Sequence, residues 1–220
     1  MKNFLYTALS FSLVIASISP ASAQAFRKGS LLISVTEGST HAQFTTFDQT
    51  APAHSDISNV RLNGDRDPLI IEYGLSSRWG IGLNMGGDVF PINPSTYYAV
   101  HTNDNKLTTS EISVEGNYHF FVTDKVDIAA CGSLGLASVY FNGTDGDGAK
   151  RTYNAGGGIA RASVKSRYYF WRRLGAVAML SAYSSSCTPD PNHGSNVAVQ
   201  TTTRITGWAY EMGLCYRIRH

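Results

Sequence analysis

The sequence has 220 residues, 43% apolar and 15% charged, with 18 Lys+Arg against 16 Asp+Glu for a formal net charge of +2. Such a chain suits one domain or two small ones, is too apolar for disorder, and carries no field strong enough to favour nucleic acid. Twenty-one Gly and 12 Tyr against four Met and three Cys lean towards β structure. After residue 20 no apolar stretch approaches the ~18 residues that a membrane helix needs.

The chain opens with Lys2, an apolar run over Phe4–Ile18, and Pro20-Ala21-Ser22-Ala23. A basic start, a short apolar centre and an Ala-x-Ala end describe a secretory signal peptide. We expect residues 1–23 to be removed near Ala23 and residues 24–220 to form the exported domain. No Cys follows the expected cut, so a lipid anchor is not expected. The three cysteines, Cys131, Cys187 and Cys215, are too few and odd in number for a disulfide scaffold. Cys131 and Cys215 fall on strands that are not neighbours and Cys187 falls in a loop, so three free thiols are expected.

From residue 67 onward the apolar period is two. Leu69, Ile71, Tyr73 and Leu75 oppose Ile70, Glu72, Gly74 and Ser76, and Trp79, Ile81, Leu83 and Met85 alternate with Gly80, Gly82, Asn84 and Gly86. Ile112, Val114, Tyr118, Phe120 and Val122 alternate with Glu111, Ser113, Glu115, Asn117 and His119. At the end, Trp208, Tyr210, Met212, Leu214, Tyr216 and Ile218 oppose Gly207, Ala209, Glu211, Gly213, Cys215 and Arg217. This is the pattern of half-buried strands. It predicts eight strands near 29–37, 67–77, 79–90, 107–122, 126–141, 150–170, 174–185 and 199–218.

The connections alternate in length. Ser76–Arg78, Thr123–Lys125 and Trp171–Arg173 read as tight turns, and Ser39–Arg66, Pro91–Lys106, Asn142–Ala149 and Ser186–Ala198 as long polar loops that hold Pro52, Pro91, Pro94, Pro189 and Pro191. Short turns and both termini at one end, with long loops at the other, describe a transmembrane β-barrel. Because the bulky residues occupy one face and an eight-stranded interior is narrow, that face should point to lipid. Trp208 is separated from Tyr216–Ile218 by a rise of roughly 26–33 Å, which a tilt near 40° reduces to about 20–25 Å, near the height of an apolar band between aromatic girdles. The fold expected is all-β: an eight-stranded, antiparallel, up-and-down transmembrane barrel.

The stretch Glu111-Ile-Ser-Val-Glu-Gly-Asn-Tyr-His-Phe-Phe, followed by Thr123-Asp-Lys-Val-Asp-Ile and Gly132-Ser-Leu-Gly135, resembles the central hairpin of the small outer-membrane β-barrel superfamily, the group that contains the outer membrane protein A barrel. Glu72-Tyr-Gly-Leu-Ser-Ser-Arg-Trp-Gly-Ile-Gly is similar to a further hairpin of that kind. The resemblance covers the exported domain as a pattern and rests on architectural motifs. It implies a place in the outer membrane of a Gram-negative envelope. The chain departs from the pattern by ending Tyr216-Arg-Ile-Arg-His220, where such barrels commonly end on an aromatic residue.

Inward-facing charges are the first candidates for chemistry: Glu72, Glu111, Glu115, Arg161, Lys165, Arg167, Glu211 and Arg217. Glu111 and Glu115 are about 13 Å apart along a strand, wider than the roughly 5–9.5 Å of glycosidase pairs. Mixed signs predict an internal salt-bridge network instead, built on Glu72, Glu115, Arg161, Lys165, Glu211 and Arg217. His41, His54, His101 and His193 fall in predicted loops, His119 near a turn and His220 at the end; none has metal-ligand spacing, and they read as surface residues. Asn142–Gly148 has the oxygen-rich composition of a calcium loop but not its closing Glu. Neither a cofactor nor a metal is expected.

Two functional readings follow. The first is a non-enzymatic outer-membrane barrel with a plugged interior, acting through its extracellular loops in binding, adhesion or envelope integrity, with membrane lipid and an extracellular protein or ligand as partners. The second is an outer-leaflet enzyme that deacylates or acylates lipid A, with His101 and Asp104, or His193, Ser195 and Asp190, as candidates. A narrow, porin-like pore is a further alternative to the first.

Overall fold

The computed structural model describes residues 25–48, 56–91, 106–144, 150–189 and 201–219. They form nine strands: β1 (Leu31–Asp48), β2 (Asp56–Arg66), β3 (Leu69–Gly74), β4 (Trp79–Pro91), β5 (Lys106–Val122), β6 (Val126–Thr144), β7 (Lys150–Tyr169), β8 (Leu174–Pro189) and β9 (Thr201–Arg219). All pairings are antiparallel, from β3 to β9 each strand pairs with the next, and β1 pairs with β9 from Leu31↔Arg219 to Asp48↔Thr201, which closes the ring. The sheet has no free edge along that seam.

β2 and β3 share one position in the ring. β1 pairs with β3 over Leu31–Val35 and with β2 from Gly38 onward. β4 pairs with β3 up to Met85 and with β2 at Asp88 and Val89. The interruption falls at Asp67–Pro68, where Pro68 has no N–H for the ladder. Its carbonyl accepts from Thr36 N at 3.1 Å, and Asp67 N donates to Gly87 O at 3.4 Å, so the wall stays continuous. Nine strands therefore occupy eight places.

The three predicted turns lie at one end. Ser76 Oγ accepts from the Arg78 and Trp79 amides at 3.2 and 2.9 Å, Thr123 Oγ1 accepts from Val126 N at 2.9 Å, and Trp171 N donates to Leu174 O at 3.1 Å. The chain enters at the same end. Gly29, at φ 81°, takes a left-handed conformation that glycine tolerates best, and its N–H bonds Gly74 O at 2.8 Å. Ala25 and Phe26, just before this bend, are fully buried inside the barrel mouth.

Several expectations are corrected. Ser39–Arg66 is not a long loop, since β1 runs to Asp48 and β2 begins at Asp56; only 49–55 lies outside the described residues. The alternation persists there with reversed polarity. In the turn-proximal half, bulky side chains such as Ile81, Val114, Leu134 and Leu214 point outward while Glu72, Asn84 and Glu115 point inward. Towards the other end Phe44, Leu62, Phe90, Leu107 and Ile205 point inward, and Gln43, Arg61, Asn63 and Arg204 outward. The interior thus admits large aromatics after all, and a search for bulky-outward strands stops where the sign changes.

Pro91 and Pro189 end strands β4 and β8 rather than sitting in loops. A bulge between His119 and Phe121 leaves Phe120 and Phe121 both outside and turns Val122 inward against the apolar cluster at the mouth. The signal segment 1–23, the segments 92–105 and 190–200, and most of the Asn142–Gly148 stretch lie outside the described residues.

The outer face carries an apolar band, with Leu134 and Leu136 about 70% exposed. Trp79, Tyr118, Phe120, Trp171 and Tyr216 face outward near the turns, and Tyr140, Trp208 and Tyr210 further along. A closed barrel with this surface should be soluble only with detergent or lipid. It should give a β-rich circular dichroism spectrum and migrate faster in gels unheated than boiled. Detergent-free solubility or a helical spectrum would contradict the fold.

Candidate functional site: the charged barrel interior

The inward parity of seven strands brings buried charges together as two clusters. Nearer the turns, Glu72 of β3, Glu115 and His119 of β5, Asp127 of β6, and Lys165 and Arg167 of β7 converge. Lys165 Nζ donates to Glu115 Oε1 at 2.6 Å and lies 3.7 Å from Glu72 Oε2. Arg167 donates to Asp127 Oδ2 at 2.9 Å and, through its other terminal nitrogen, to Glu72. His119 Nδ1 lies 2.6 Å from Asp127 Oδ1 and Nε2 lies 2.7 Å from Glu72 Oε1. Register makes this possible: Asp127 faces Arg167, and the small Ala129 separates His119 from Lys165. Gly80 is needed too, because a Cβ there would stand 2.6 Å from Glu72 Oε1.

Further from the turns, Arg66 of β2 takes the centre. Its Nε bonds Glu211 Oε1 at 3.0 Å, one terminal nitrogen bonds Asp88 Oδ1 at 3.3 Å, and the other bonds Glu111. Arg161 donates to Glu111 Oε2 at 2.8 Å and Ser181 Oγ at 2.9 Å, with its guanidinium 4.7 Å from the centre of the Tyr183 ring. Thr36 donates to Glu211 at 3.1 Å and Thr109 to Asp88 at 2.9 Å.

Apolar groups bracket both clusters. At the mouth Phe26 stacks on His119 with ring centroids 3.4 Å apart, among Leu32, Val177 and Cys215. Beyond Arg66, Phe44 and Phe90 meet edge to face at 5.3 Å in the second apolar cluster.

Of the six residues expected to form one network, Glu72, Glu115 and Lys165 meet in the first cluster, while Arg161 and Glu211 join the second through Glu111 and Arg66. Arg217 stands elsewhere: it donates to the carbonyls of Ala25, at 3.0 Å, and Arg172, and lies 4.8 Å from the centre of the Tyr169 ring. It ties the entering chain to the last strand and the third turn. Sequence reasoning missed Arg66 because it was assigned to a loop. His119 is not a surface residue but is fully buried, as its inward parity with Glu115 indicates. Asp127 and Asp88 share that parity on their own strands. His41 lies on β1, hydrogen-bonded to Asn63 at 2.6 Å and stacked on Trp208; His54, His101, His193 and His220 lie outside the described residues. Cys187 is not in a loop but buried on β8, and all three thiols are unpaired.

Buried charges are held only when paired, and removing one partner strands the others. Arg66→Ala should lower stability by about 3–5 kcal/mol, measured by urea unfolding in lipid. Phe26→Ala, which empties the mouth, should cost about 3–5 kcal/mol in the same titration; a cost near zero would show that Phe26 does not pack there.

No family model matches the chain, and no curated protein matches it in sequence. Solved structures do match in shape. The outer membrane protein OprG of Pseudomonas aeruginosa is 10% identical with a TM-score of 0.57, covering 88% of this chain and 98% of its own. The outer membrane protein AlkL, solved in lipid bilayers, is 13% identical with a TM-score of 0.55, covering 93% and 97%. Given a closed antiparallel ring of eight places, short turns at one end and an apolar outer band, these likenesses identify the fold: the chain is built as an up-and-down β-barrel of the kind seen in these small outer-membrane proteins.

Proposed function

We propose that the protein is a non-enzymatic outer-membrane barrel with a sealed interior, acting through the segments at the end opposite its turns in binding, adhesion or support of the envelope. The observation that carries this reading is the filled lumen: two charge clusters bracketed by Phe26 at one end and by Phe44 and Phe90 at the other. Side chains that pair across a narrow interior leave little room for a diffusing solute. Export with cleavage near Ala23 belongs to the same proposal, and membrane lipid and an extracellular protein or ligand are its partners. The polar outward face beyond Trp208 supports it, because a barrel that rises above the bilayer holds its connecting segments clear of the lipid.

Planar-bilayer recordings of the purified protein should show no steady single-channel steps; large, stable steps would make transport the function. Mass spectra of lipid A from cells with and without the protein should be identical, and an altered acyl pattern would make it an enzyme. A tag placed at Thr123–Lys125 should stay unlabelled on intact cells, with the four longer connections on the cell exterior.

A further inference from the structure

Between and beside the two charge clusters lies a belt of buried polar side chains without protein partners. Asn84 and Asn117 are fully buried, and neither the Oδ1 nor the Nδ2 of either makes a hydrogen bond. The hydroxyls of Ser34 and Ser113, 1% and 3% exposed, are unpartnered as well, as is Nε of both Arg161 and Arg167. The belt is contiguous in register. Ser34 faces Ile70, Ile70 faces Asn84, and Asn84 faces Ser113 across four adjoining strands. Along β5, Ser113 stands between Glu111 of one cluster and Glu115 of the other, and Asn117 follows between Glu115 and His119. On the adjoining strand β4 the position paired with Glu115 is Gly82, where a Cβ would lie 3.4 Å from Glu115 Oε1 and 3.5 Å from Asn117 Nδ2.

Buried donors and acceptors in native proteins are bonded to protein or to ordered water. We propose that this belt is an internal hydration site, in which several ordered water molecules bond Asn84, Asn117, Ser34 and Ser113 and join the two charge clusters into one network. The chemistry selects the ligand. The unpartnered atoms include donors only (the amide and Nε nitrogens), acceptors only (the amide oxygens) and hydroxyls that do both. A bare cation satisfies only the acceptors and an anion only the donors, whereas water, with about three hydrogen bonds at a buried site, serves both. The apolar groups around Phe26 and around Phe44 and Phe90 close the belt off at both ends, so these waters exchange slowly with bulk.

The test uses the wild-type protein, isotope-labelled and folded in lipid nanodiscs. Water-selective NMR should show cross-peaks from long-lived water to the side-chain amide protons of both Asn84 and Asn117. Cross-peaks to protein protons alone would overturn the proposal. Ser113→Ala gives an independent sign. If the hydroxyl bonds water, its removal lowers the folded-to-unfolded ratio roughly 5-fold in a urea titration; an unchanged or raised ratio means a dry orphan and overturns the proposal.

Discussion

The Arg66 guanidinium presents its three nitrogens to three carboxylates, Asp88, Glu111 and Glu211, which stand on β4, β5 and β9. A delocalised cation with fork geometry is the side chain suited to such a role, since lysine offers a single point charge. Arg66 itself stands on β2 two residues before the break at Pro68, so one ionic group braces the interrupted wall against strands on both sides of it. Glu111 then passes the connection to Arg161 on β7. Desolvating this many charges is unfavourable, and only their mutual attraction in a closed lumen offsets it. The cluster therefore requires the barrel to be closed, and once closed it favours one register over a slipped one.

The second constraint is the change of polarity along the strands. Near the turns apolar side chains point out, a surface suited to lipid, and the charges that need partners point in. Beyond Trp208 the outer face turns polar with Gln43, Arg61, Asn63 and Arg204, and the interior becomes apolar around Phe44 and Phe90. Each half obeys the same rule, burying apolar surface away from water; what differs is which side of the wall is wet. The barrel is consequently taller than its apolar band.

The mouth is finished by groups distant in sequence. Phe26 fits against His119 because Gly74 and Gly80 leave their positions bare; a Cβ on either would come within 3.2 or 3.3 Å of the Phe26 ring. Arg217 fixes the backbone of Ala25, whose N–H bonds Thr123 O at 2.8 Å. The chain's entry, its second and third turns and its last strand are thus tied together in one place.

Period-two alternation by itself determined the architecture: a strand must turn successive side chains to opposite faces, so Trp79 to Met85 and Trp208 to Ile218 declared an outward apolar surface and the inward parity of Glu72, Glu115 and Lys165. It also located the three tight turns, whose Ser76 and Thr123 bond their own backbone. It did not reveal β2 and the far half of β1, because there the apolar residues change sides and the pattern sought had the opposite sign. Nor does parity say which inward charges meet. That depends on the strand register and on height along the tilted wall, which bring Arg66 to Glu211 across 145 positions of sequence and send Arg217 to the mouth instead. Such pairings exist only once the ring closes, and for that reason the tertiary structure alone decided them.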